Sequence, residues 1–324
     1  MTSDMNYEAI HLMRKQEIHK QTTSEHLNQW HDELMKRVVH LAIEKVEAEQ
    51  GRIPAPFAFF VMGSAGRREQ SIWSDQDHGI VFDGKKEHKR YFLRLGKEIV
   101  TGLELTGYQR CDGKVMASES MWTQTLASWS EQVIGWLEQA SWQSLRHFST
   151  FFDSRVLIGQ KNLLAKVKVT TFCYLENHRQ LYNRFIDNFD FIRKGTNIFG
   201  KLLTEQSGPM SGRVPIKTTT ILPYVNAMRL LALHHQESRA STLQRMQELK
   251  TKYTFLQEYE AIYHQLMEFR FVHTKAAENY DAVHYIPLHQ LSKDDKKELK
   301  QFMKSGSELF QLAKEAIETE CSKW

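Results

Sequence analysis

Cysteine is scarce: Cys111, Cys173 and Cys321 are scattered through 324 residues. Three widely spaced thiols make neither a disulfide framework nor a zinc pattern, so a reduced, cytoplasmic setting is expected. Long apolar runs are also missing. None approaches the roughly 20 residues needed to span a bilayer, which excludes helical membrane insertion and a membrane partner. The opening MTSDMNYEAIHLMRKQ has no apolar segment leading to a cleavage site, so no signal peptide is expected. There is no internal repeat and no low-complexity tract. Charge of one sign is lacking too: the formal net charge is only +4, with acidic and basic residues interleaved. The 7 Trp and 18 Phe are not interleaved with basic residues as a single-strand platform requires, so a nucleic-acid partner is not expected. A mild positive bias suits an anionic small molecule at least as well.

What is present describes a globular protein. Hydrophobic residues make up 41% and charged residues 25% of the chain, and its length suits about two domains. Residues 1–50 are polar, with Leu34, Val38, Leu41 and Val46 at helical spacing, and Gly51 and Pro54 stop that helical segment. Short runs rich in aromatic and β-branched residues then predict strands at Phe57–Met62, Gly79–Phe82 and Phe148–Ile158. A helix is expected over Arg90–Leu105, and Trp129, Val133, Trp136, Leu137 and Ala140 trace one face of another. This alternation marks an α/β or α+β domain over residues 51–160. Residues 162–192 read as helical, and RKGTNIFGKLLTEQSGPMSGRVPIKTTT, from Arg193 to Thr220, reads as a loop. From Ile221 onwards a helical bundle is expected, with a helix start at Ser292-Lys293-Asp294-Asp295.

The chemistry concentrates in FAFFVMGSAGRREQSIWSDQDHGIVF, Phe57 to Phe82. An apolar strand ends in Gly63-Ser64, and ten residues on comes Ser74-Asp75-Gln76-Asp77, leading into a second apolar run. Side chains alternate across a strand, so Asp75 and Asp77 share a face. Two carboxylates that close repel unless a cation lies between them. Mg²⁺ fits, because it takes one or two carboxylates and completes its shell with phosphate and water; Mn²⁺ is the alternative. Gly63 lets the backbone approach a phosphate, Ser64 offers an amide and a hydroxyl, and Arg67 and Arg68 carry forked donors for phosphate oxygens. Ser74 is a further candidate contact, with tightening of the turn before the aspartates as its simpler role. Lys217, in the Gly/Thr-rich stretch, is a candidate to reach the nucleotide across a cleft, against an ordinary solvated role. Asp83 and Asp112 each precede a glycine and read as turn residues.

These residues carry a resemblance. GSAGRREQSIWSDQDHGIVF resembles the signature of the signal-transduction nucleotidyltransferases related to protein-PII uridylyltransferase, within the DNA polymerase beta-like nucleotidyltransferase superfamily. Gly63-Ser64 matches the superfamily's small-residue turn, and Asp75 with Asp77 matches its acidic pair. Gly66-Arg67, Glu69-Gln70 and Asp75-Gln76-Asp77 carry the narrower match. CDGKVMASESMWTQTLASW (Cys111–Trp129) and FFDSRVLIG (Phe151–Gly159) look like later blocks of the same domain, which makes Asp153 the candidate third carboxylate. Its alternative is a strand-end aspartate paired with Arg155. GRVPIKTTTILPYVNAMRLLAL (Gly212–Leu233) resembles the accompanying helical domain.

The resemblance implies an α+β fold: a mixed-sheet nucleotidyltransferase domain at 51–160, N-terminal helices at 1–50, and a helical substrate-binding domain at 161–324. It further implies a two-metal in-line transfer of UMP or AMP from an NTP to a hydroxyl acceptor on a signalling protein or a small molecule. Asp75, Asp77 and Asp153 would be the catalytic metal ligands; Gly63, Ser64, Arg67, Ser74 and Lys217 would contact the nucleotide. Two rival readings stand beside this one. One is a catalytically silent nucleotide sensor. The other is a ribonuclease or toxin component of the HEPN type, whose Arg-x4-His motif Arg229 and His234 resemble. At helical pitch those two side chains diverge by about 140°, which favours packing for both. Arg270 and His273 share a face, but such pairs are common on long helices.

Overall fold

In the computed structural model, residues 6–190 and 193–321 are described, Cys321 by its backbone alone. Backbone contacts divide the chain into two compact units, residues 1–139 with 147–174, and residues 140–146 with 175–324.

The first unit opens with α1 (Tyr7–Glu17) and α2 (Ser24–Gln50), capped by the side chains of Asn6 and Thr23. α2 stops at Gly51, as expected. β1 (Phe57–Val61) runs into the five-residue α3 (Gly63–Arg67), followed by β2 (Asp75–Gln76), β3 (His78–Phe82), α4 (Lys89–Leu105), β4 (Gln109–Arg110) and β5 (Thr123–Thr125). Then come α5 (Leu126–Gln139), α6 (Trp142–Phe152), β6 (Arg155–Gly159) and α7 (Lys161–Asn177). The main sheet has the order β5-β3-β1-β6. β1 is antiparallel to β3 and β6, and β3 is parallel to β5, so the sheet is mixed and the fold is α+β. β2 and β4 form a separate parallel pair.

Alternation along β1 explains the layering. Phe57, Phe59 and Val61 enter one core with Leu34, Val38 and Val46 of α2 and Phe92, Leu95 and Ile99 of α4. Phe60 faces the other way, onto Trp129 of α5 and Phe151 of α6, with ring centroids at 5.5 and 6.3 Å. The Trp129 indole N–H donates to the Ile80 carbonyl at 2.9 Å, which locks α5 to β3.

Three expectations shift. Phe148–Phe152 is helical and the strand begins only at Arg155. Leu145, Phe148 and Phe152 are buried at helical spacing, and the aromatic content that reads as a strand packs one face of α6 instead. Ala140 lies past the end of α5, at φ 45. Lys217–Ile221 forms a π-helical turn rather than loop. The helical reading of 162–192 holds through α7 and α8 (Leu181–Phe189); its last two residues, 191 and 192, lie outside the described residues.

The second unit carries β7 (Arg213–Val214), α9 (Leu222–His234), α10 (Thr242–Leu249), α11 (Leu256–Thr274), β8 (Ile286–Pro287) and α12 (Lys293–Cys321). α9, its faces almost wholly buried, packs on α8, α10 and α12, so a helical bundle forms as expected. α12 begins where the sequence placed it. The Ser292 amide donates to the Asp295 carboxylate at 2.9 Å, and the Asp295 amide donates to Ser292 Oγ at 3.0 Å, a reciprocal capping box. Among the described residues no helix is long and apolar enough to cross a membrane.

Candidate active site

The site lies where β1 gives way to α3. The Met62 amide donates to the Asp77 carbonyl at 2.7 Å, tying the end of β1 to the residue between β2 and β3. Gly63 then turns at φ 55, and a Cβ there would collide with the Asp77 carboxylate. Only glycine lets the turn and the carboxylate lie this close. Gly66 is constrained likewise, since a Cβ would strike the Asp153 carbonyl.

The aspartates are arranged as strand alternation requires. Asp75 and Asp77 are half-buried, whereas Gln76 between them is wholly buried. Gln76 Nε2 donates to the carbonyls of Tyr108 at 3.0 Å and Val100 at 3.3 Å. The Ala117 amide donates to His78 Nδ1 at 3.1 Å, so the proton sits on Nε2, which donates to Gln76 Oε1 at 3.3 Å. Burial pushes His78 down to about 3 and keeps the ring neutral. These inward contacts fix the backbone from which the two carboxylates project.

A third group joins the pair. One carboxylate oxygen each of Asp75 and Asp77 and the sulfur of Cys111 all lie within 4.8 Å of one another. β2 and β4 pair with Asp75 opposite Gln109 and Gln76 opposite Arg110, so the next register position sets Cys111 opposite Asp77. Burial, followed by the Asp77 charge and a hydrogen bond to Asp77, pushes the thiol up to about 12. The Cys111 thiol donates a hydrogen bond to the Asp77 carboxylate. Sequence reasoning singled out the block that begins at Cys111 but gave this thiol no role.

The remaining expected residues divide. Ser64 is half-buried beside Gly63. Arg67 is buried: its Nε donates to Glu69 at 2.6 Å and its Nη1 to Asp153 Oδ2 at 2.8 Å. Asp153 is wholly buried and pairs with Arg67. Arg155 instead reaches Asp32, and it donates to the Ala65 and Gly66 carbonyls that end α3. Ser74 is buried; its hydroxyl accepts from Gln70 Nε2 at 3.0 Å and donates to the Asp75 carbonyl at 3.2 Å. Arg68 is exposed, at φ 60.

Lys217 belongs to the second unit and starts its π-helical turn. There, burial first and then the charges of Lys217 and Arg270 push His284 down to about 2. Arg229 donates to Asn226 and lies over the Phe189 ring, while the His234 ring packs on Tyr182. His273 packs on Phe269 and lies 3.7 Å from Asp295.

A mixed sheet whose first strand ends in a Gly-Ser turn against an aspartate pair is an arrangement suited to nucleotidyl transfer. Residues 7–143 match the family model described as putative nucleotidyltransferase DUF294, and residues 179–317 match its companion, the putative nucleotidyltransferase substrate binding domain. The chain belongs to this family, DUF294. No curated protein gives a significant match.

Proposed function

We propose that the protein transfers a nucleoside monophosphate, UMP or AMP, from an NTP to a hydroxyl on a protein or small molecule, releasing pyrophosphate. The reading rests on the close approach of Gly63 to the Asp77 carboxylate, with Asp75 beside it. A phosphate chain held at Gly63-Ser64 then lies against the two carboxylates, and such a contact is tolerable only with a cation between them.

Asp75 and Asp77 are the residues that would hold Mg²⁺, or Mn²⁺, and their half-buried carboxylates fit a hard cation that keeps part of its water. When bound, such an ion offsets the charge of the triphosphate and makes the acceptor hydroxyl easier to deprotonate. Gly63 clears space for the phosphates, and Ser64 offers its hydroxyl to them. Ser74 holds the backbone just before Asp75. Arg67 already holds Asp153 Oδ2 at 2.8 Å, so a role of Asp153 as third carboxylate ligand would be shared with that ion pair. We therefore assign Arg67 and Asp153 first to holding α3 against β6. Lys217, in the second unit, is kept as a proposed nucleotide-binding residue.

Incubation of the full chain and a protein extract with NTPs labelled on either the α- or the γ-phosphate tests the reaction class. Label should pass from the α-phosphate and not from the γ-phosphate, and Asp75→Asn/Asp77→Asn should abolish transfer. Transfer of γ-label, or α-label transfer that survives in the double variant, would overturn the reading.

A further inference from the structure

Cys111 is held at the aspartate pair by more than proximity. It directly follows β4, which is paired in parallel with β2, the strand of Asp75. Beyond it the chain turns, with the Lys114 amide donating to the Cys111 carbonyl at 2.9 Å. It then returns to β3, where the His78 amide donates to the Val115 carbonyl at 3.0 Å. The loop is thus fastened on both sides of Cys111, and on its far side to the very strand that follows Asp77. The sulfur and the two carboxylate oxygens lie within 4.8 Å of one another, and a small inward turn of these side chains brings them within the roughly 4.5 Å that a sulfur and an oxygen ligand of one ion can span.

A sulfur in that position matters for the choice of ion. Mg²⁺ takes oxygen donors and gains little from a thiol, whereas zinc-class ions bind thiolate sulfur strongly and accept carboxylate oxygen beside it. We propose that Cys111 is a third ligand of the Asp75–Asp77 site and that it lets a thiophilic divalent ion of the zinc class occupy the site in competition with Mg²⁺. Binding of such an ion releases the thiol proton to solvent and forms a metal–sulfur bond. The inference rests on the proposed metal role of Asp75 and Asp77.

Co²⁺ is the probe, because a thiolate ligand gives it a near-ultraviolet charge-transfer band that carboxylates do not. The test uses the full chain carrying Cys173→Ser and Cys321→Ser, so that Cys111 is the one remaining thiol. The expected result is a band that disappears in Cys111→Ser and in Cys111→Ala, with Co²⁺ affinity falling by about tenfold or more. Circular dichroism confirms that both variants remain folded. Co²⁺ that binds in an Asp75- and Asp77-dependent manner without the band would overturn the role of Cys111 and leave the metal site standing. Failure of both Co²⁺ and Mg²⁺ to bind would overturn the metal site itself.

Discussion

The Asp77 carboxylate occupies the space that a side chain on Gly63 would need. The two residues are fourteen positions apart in the chain, yet the Met62–Asp77 backbone hydrogen bond, which extends the antiparallel β1–β3 pairing by one position, brings them side by side. The turn suited to phosphates and the carboxylate suited to a cation are therefore one feature.

Gly63→Ala tests this coupling. The substitution adds a Cβ at a positive φ, which costs about 1–2 kcal/mol, and it displaces the Asp77 carboxylate. A lower Tm together with weakened Mn²⁺ binding is expected, the latter read by titration at a temperature where the variant is fully folded. Full Mn²⁺ affinity in the folded variant would show that the contact is steric only.

Asp153 and Asp75 should behave in opposite ways. Asp153→Asn removes the charge of a wholly buried carboxylate from Arg67, and breaking one partner of a buried pair costs about 3 kcal/mol or more. Asp75→Asn, at a half-buried position beside another carboxylate, should change stability by no more than about 1 kcal/mol while abolishing metal binding. Urea unfolding and Mn²⁺ titration of both variants separate the roles. A stable Asp153→Asn protein that has lost the metal would make Asp153 a ligand above all.

Much of this was legible from local spacing. The outward aspartates around an inward Gln76 follow from the two-residue period of a strand, and the start of α12 follows from Ser292 and Asp295, three residues apart. Phe148–Phe152 reads as a strand because aromatic residues favour strands, yet tertiary packing against β1 makes it a helix. Lys217–Thr220 reads as a loop because threonine is a weak helix former, although Ile221 and α9 draw it into a π turn. The partner of Arg67 and the place of Cys111 are set by contacts between distant segments. No local pattern announces an ion pair across 86 residues or a parallel register such as that of β2 with β4.

Acid should weaken the first unit through His31. Its Nε2 donates to the Ser71 carbonyl at 3.0 Å and its Nδ1 accepts from the Tyr108 hydroxyl at 2.8 Å. Burial, aided by the Arg14 charge, pushes it down to about 3. The unfolded chain, with an ordinary histidine value near 6.5, binds a proton that the folded chain refuses. Stability is then complete above about pH 6.5 and falls as pH drops towards 3, by about 1.4 kcal/mol per pH unit for this residue. Urea unfolding at pH 7, 6 and 5 reads the slope, which His31→Gln should reduce. An unchanged slope would exclude His31 as its source.

Thermal unfolding of wild type and Asp75→Asn/Asp77→Asn, with each NTP and with or without Mg²⁺, tests the proposed site without knowledge of the acceptor. A ligand at about 100 times its Kd stabilises by about 2.7 kcal/mol, enough to move the midpoint visibly. A Mg²⁺-dependent rise with one NTP, lost in the double variant, is the expected result. No rise with any NTP, or a rise that the double variant retains, would contradict a metal–triphosphate site at Asp75 and Asp77.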